Sequence, residues 1–216
     1  METYALVIAG AALAALLMMI LLRKKYGLKP AVPFIFGALA VPLCVLAGRA
    51  AFWLCSLDWI RNSELSFWDF FGSGYTYMLY GAVIGGFAAA FLTAKISGQP
   101  FGAIADAAAA PAALLIAAGR FAEYLVGAGY GTGVVAWFDP EETWSMIAWE
   151  NPDLLCRFPF AVQNYYGSWR FAINLWEGIA AIVFLVVLLV MKKRRNGASA
   201  TLLLLMYAAC QIVFES

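Results

Sequence analysis

Arg120 and Glu123 stand three residues apart in a stretch, Ala103 to Val126, that is otherwise almost uncharged. On a helix, side chains at that spacing share a face and can meet. A charge placed in hydrocarbon is costly on every insertion scale, so membrane helices rarely carry one without a use. A guanidinium stays charged at any pH a protein meets, and its planar fork fits phosphate or carboxylate. The pair therefore reads in two ways. It is an anion site inside a membrane, suited to a lipid phosphate, or a buried ion pair that fixes helix packing.

The other groups able to do chemistry in apolar surroundings are few: Arg49, Asp106, Glu177 and Glu215. Arg49, Arg120, Glu123, Glu177 and Glu215 fall in the same half of their apolar runs, so convergence on one polar cavity is expected. Each also has a structural reading. Asp106 near a helix start suits the positive end of the helix dipole, and Glu177 beside Trp176 suits it in the same way. Arg49 after Gly48 can snorkel to the interface. The chain contains no histidine. Ser-His-Asp and Cys-His catalysis, histidine-ligated metals and histidine proton relays are therefore excluded. No phosphate-binding glycine loop or dinucleotide fingerprint occurs. Neither a metal nor another cofactor is expected, and no nucleic-acid partner.

The elements that must position these groups are membrane helices. Of 216 residues, 64% are apolar and 12% charged, about half the charge of an ordinary soluble domain. Apolar runs at about 3–22, 32–56, 75–94, 103–126, 172–191 and 198–214 approach or exceed the length needed to span a bilayer. Backbone in lipid must satisfy its own hydrogen bonds, so these runs should be helices packed as a bundle. The expectation is one all-α integral membrane domain over residues 1–216 with six spans. Arg23, Lys24, Lys25, Lys29, Lys95, Lys192, Lys193, Arg194 and Arg195 follow the first, third and fifth runs. The positive-inside rule makes that side cytoplasmic and puts the N-terminus outside. The first run lacks a basic start and a cleavage site, so it reads as a permanent helix rather than a signal peptide.

Residues 127–171 should form a small outer-face cap. They hold Trp137, Trp144, Trp149 and Trp169 among acids and prolines, with a helical stretch expected around Glu141 to Ala148. Aromatic residues of this density suit the headgroup layer. Gly81 and Gly85 form GxxxG in the third run, which lets a neighbouring helix approach closely. Cys44, Cys55, Cys156 and Cys210 show no CxxC spacing; buried small apolar residues are the expected role. No internal repeat supports an inverted-repeat transporter, the weakest of three functional classes.

The order of motifs resembles the bacterial prolipoprotein diacylglyceryl transferase family along nearly the whole chain. Tyr80-Gly-Ala-Val-Ile-Gly-Gly is similar to the family's His-Gly-Gly-Leu-Ile-Gly-Gly. Asp106 through Pro111 resembles Asp-x-x-Ala-Pro, and Gly119-Arg120-Phe-Ala-Glu123-Tyr-Leu-Val-Gly127 resembles the signature Gly-Arg-x-Gly-Asn-Phe-x-Asn-Gly. Asn174 to Glu177 resembles Gln-Leu-Tyr-Glu, Tyr207 to Glu215 resembles Tyr-Gly-x-x-Arg-x-x-x-Glu, and Tyr4-Ala-Leu resembles part of Trp-Tyr-Gly-Leu. The resemblance implies a multi-pass protein of the bacterial cytoplasmic membrane. Its reaction would move diacylglyceryl from phosphatidylglycerol to the lipobox cysteine of a prolipoprotein signal peptide, releasing glycerol phosphate. It places Arg120, Glu123, Glu177 and Tyr80 at catalytic positions. Arg120, Arg49, Tyr4, Tyr207, Glu215, Gly119 and Gly81 would line the lipid-phosphate cavity.

Departures accompany the matches. Tyr80 stands where the family has His, Glu123 where it has Asn, Ala128 where it has Glu, and Gln211 where it has a second Arg. Family members continue into a seventh helix, which makes this chain read as C-terminally short. The alternative function is therefore a catalytically silent or repurposed paralogue that binds anionic phospholipid or lipoprotein signal sequences. In the enzymatic reading, the incoming thiol must lose its proton, since thiolate is the nucleophile. Glu123, Glu177, Tyr80 or a phosphate oxygen is the acceptor.

Overall fold

A computed structural model describes residues 2–57, 61, 78–131, 159–163, 169–192 and 196–215. The helical stretch expected around Glu141 to Ala148, Trp137, Trp144, Trp149, Cys156, and the basic residues Lys193, Arg194 and Arg195 lie outside the described residues. Six helices fall on the six apolar runs: α1 (Glu2–Tyr26), α2 (Val32–Cys55), α3 (Leu79–Ser97), α4 (Phe101–Leu125), α5 (Ile173–Val190) and α6 (Ala198–Glu215). Five of them, α1 to α5, are long and apolar enough to cross a membrane; the apolar part of α6 is one residue short of the 18 that the others reach. Strands β1 (Ala161–Gln163) and β2 (Trp169–Phe171) make an antiparallel hairpin, with Val162 opposite Arg170. Large apolar side chains remain exposed along the helices, among them Leu13, Leu17 and Leu21 of α1 and Val183, Val186 and Val190 of α5. Such faces are what a bundle presents when hydrocarbon is its solvent.

The described residues form two compact units, 1–18 with 109–192 and 199–216, and 19–108 with 193–198. In the second, small residues let backbones meet. A Cβ at Gly81 would collide with the carbonyl of Ala47, and one at Gly85 would lie 2.7 Å from the Cα of Cys44. The GxxxG of α3 is thus the seam against α2, a close approach that only glycine permits. Replacing Gly85 by Val should cost about 3 kcal/mol or more, since the colliding atoms are backbone and cannot step aside. Gly10 has open space around its Cα, and Gly10→Ala should be neutral or slightly stabilising. Denaturing-detergent titration of the two purified variants measures the contrast.

One end of this unit collects three connections. Lys29 Nζ donates to the carbonyl of Ser97 at 3.1 Å, joining the turn after α1 to the end of α3. Asn196 and Gly197 crowd Gly102 at the start of α4, and Gly197 N–H donates to Asp106 Oδ2 at 2.8 Å. Asp106 is 3% exposed. It acts by holding the α5–α6 connection, a use different from the helix-dipole role expected of it. The described parts of the three connections therefore share one end, the arrangement that the charge asymmetry calls for. The core beneath is Met19, Tyr26, Val32, Ala90, Ile104 and Ala107.

Candidate functional site

The first unit brings charges from α4 and α5 together. Arg120 Nη1 donates to Glu123 Oε2 at 2.9 Å, and Arg120 Nε pairs with Glu177 Oε2. Gln211 Nε2 of α6 donates to Glu177 Oε1 at 2.5 Å. Glu177 is thereby bonded from two other helices. The side chain of Glu177 is 0% exposed, against 19% for Arg120 and 27% for Glu123. One cation faces two anions, so the three charges sum to −1. Tyr4 of α1 lies close enough to both Arg120 and Glu123 to interact electrostatically. Tyr207 of α6 does so with Arg120, from a buried position.

Local chain geometry fixes this arrangement. Helix α4 ends at Leu125 and is closed by Gly127 (φ +71), with Gly127 N–H bonded to the carbonyl of Tyr124 and Ala128 N–H to that of Glu123. This is the Schellman pattern, which needs a left-handed residue that glycine supplies without strain. The turn carries Gly129 (φ +67) onto Glu123: a Cβ there would lie 2.6 Å from Glu123 Oε2. Gly129 is the floor on which that carboxylate rests. Asn174 Nδ2 then donates to the carbonyl of Ala128 at 2.7 Å, while its Oδ1 accepts from Leu175 N–H. Fully buried, Asn174 ties the end of α4 to the start of α5 one turn before Glu177. The segment ahead of α5 is held by Trp176, whose indole N–H donates to the carbonyl of Pro159 and whose ring stacks on Phe160. Gly119 packs lightly, with Ile8 as the nearest neighbour a Cβ would meet, at 3.9 Å.

Of the expected site residues, Tyr4, Gly119, Arg120, Glu123, Glu177 and Tyr207 fall in this unit. Glu215 lies in α6, and its side chain lies outside the description. Tyr80, Gly81 and Arg49 belong to the second unit, where Tyr80 is 59% exposed and Gly81 forms the seam with α2. Gln211, Asn174 and Gly129 were not among the expected site residues. The sequence signal for Asn174 was a polar residue one turn before an intramembrane acid; Gly129 gave none. No group of three potential metal ligands occurs among the described residues.

The family model for prolipoprotein diacylglyceryl transferase matches residues 1–216. The chain belongs to that family. No curated protein matches it. Membership makes the chain a multi-pass membrane protein of a transferase family that acts on prolipoproteins and membrane lipids.

Proposed function

We propose that this protein transfers diacylglyceryl from phosphatidylglycerol to the lipobox cysteine of prolipoproteins in the bacterial cytoplasmic membrane, releasing glycerol phosphate. Arg120 carries the reading. It is a partly exposed guanidinium within an apolar helix, aimed by Glu177 behind it and Glu123 beside it. Arg120 holds the lipid phosphodiester and stabilises the charge that grows on it. The cysteine sulfur attacks the glyceryl carbon, and the carbon–oxygen bond breaks with its electron pair passing to the phosphate. A fixed cation in a dry site opposes that charge far better than water does. Tyr4 and Tyr207 are proposed to line the same site; no step is assigned to Tyr80, Gly81, Arg49, Gly119 or Glu215.

Tyr80, Ala128 and Gln211, standing where the family has His, Glu and Arg, favour a second reading, a paralogue that binds lipid or signal peptide without catalysis. Proteoliposomes containing phosphatidylglycerol labelled in its acyl chains, with a lipobox peptide, separate the two. Thioether-linked label on the peptide, together with free glycerol phosphate, is the expected product. Peptide or lipid retained by the protein without thioether supports the silent paralogue.

A further inference from the structure

The two carboxylates on Arg120 are not equivalent, and their difference bears on how the reaction starts. Glu177 is sealed from solvent and engaged through both oxygens, by Arg120 and by Gln211. Glu123 lies one turn from the end of α4 and is part exposed. Among the described residues, the one group its carboxylate bonds is Arg120. It occupies that place because Gly129 has no side chain, since a Cβ there would stand 2.6 Å from Glu123 Oε2. Glu123 thus covers Nη1, while Glu177 takes Nε.

Charge counting then constrains what a phosphate can do here. The cluster stands at −1, and a phosphodiester takes it to −2, an expensive sum in low dielectric unless a proton enters. A phosphate that takes a bidentate grip through Nη1 competes there with Glu123. Once displaced, Glu123 has lost its cation and stands as a free acceptor beside the bound phosphate. The reaction supplies one proton, that of the thiol.

We propose that Glu123 is a displaceable latch on Arg120: the arriving lipid phosphate takes its place on Nη1, and the released carboxylate accepts the thiol proton. This rests on the transferase reading. The balance closes. The S–H proton passes to Glu123, and sulfur forms its bond to the glyceryl carbon. The carbon–oxygen bond breaks toward phosphate, and glycerol phosphate leaves with the electron pair. The neutral carboxyl then returns its proton to the leaving phosphate or to water. Glu177, held by two helices, keeps the guanidinium in place throughout.

The test uses Glu123→Gln in nanodiscs, with two readouts. Dioleoylphosphatidylglycerol binding should tighten about ten-fold, because an amide competes weakly for a guanidinium. Single-turnover thioether formation from preloaded lipid and a lipobox peptide should slow about a hundred-fold or more, the usual worth of a positioned base. Unchanged or weaker lipid binding, or an unchanged single-turnover rate, overturns the proposal. Gly129→Ala supplies an independent arm. It crowds the carboxylate off its floor while leaving Arg120 and Glu123 in sequence, and it too should tighten lipid binding; no change counts against the latch. If the wild type yields no thioether, the transferase reading has failed, and the two lipid affinities still decide whether Glu123 covers the guanidinium.

Discussion

Arg120→Ala should lower thioether formation by a factor of about a hundred to a thousand, the usual cost of removing one preorganised donor from a developing oxyanion. The same change should also loosen the fold. Glu177 would stay inside the protein with its bond from Gln211 but without the Arg120 guanidinium. Breaking a buried pair by deleting one member costs about 3–5 kcal/mol, because the surviving charge is uncompensated. Two losses from one substitution must be told apart, and a second substitution does so. Glu177→Gln in the Arg120→Ala background removes the stranded charge while keeping the shape and an acceptor for Gln211. Stability in a denaturing-detergent titration should then recover by half or more, whereas transfer should not. The non-additivity measures the coupling between neighbours directly. Recovery of transfer along with stability would mean that the guanidinium serves packing alone.

The sequence carries the helices far better than it carries the site. Each apolar run became a helix within a few residues of its expected bounds, because hydrocarbon leaves the backbone no alternative and composition alone signals hydrocarbon. The Gly81–Gly85 seam was legible for a related reason: close backbone approach demands missing side chains wherever the partner lies. Arg120 and Glu123 were legible through helical spacing. The pairing of Arg120 with Glu177 was not, since 57 positions separate them and only the packing of α4 on α5 brings them together. Gln211 read in the sequence as a lost cation. In the folded chain it is a donor to Glu177, a role that depends on which helix face meets α5. The expected convergence of Arg49 with Arg120, Glu123 and Glu177 came from assigned depth; of these residues, Arg49 belongs to the second unit. Asp106 read as a dipole partner because its helix position was known and Gly197 was not yet near it. Gly129 gave no signal at all, for its significance lies in a left-handed φ and in the carboxylate above it.

Glu177→Ala should be the most damaging single change to the interior of the first unit. Its carboxylate joins three helices, since it sits on α5, pairs with Arg120 on α4 and accepts from Gln211 on α6. Truncation opens a void beside Arg120 and Gln211 and leaves Glu123 as the carboxylate on the guanidinium. Loss of a buried charged partner costs about 3–5 kcal/mol, and the lost volume adds to it through the cavity left behind. Glu177→Gln should cost roughly 1–3 kcal/mol, the range for a compromised buried hydrogen bond. Transfer separates these variants differently from stability. Glu177 touches neither lipid nor thiol in the proposed scheme, so it is a positioning residue. Its replacement by Gln should lower kcat through misaimed Arg120 while the KM for lipid stays level or falls, because one competing anion has gone. A purely structural Glu177 would leave the kcat of the folded Gln variant near that of the wild type. Folded Glu177→Ala as stable as wild type would break the link between the buried carboxylate and the seating of α4, α5 and α6.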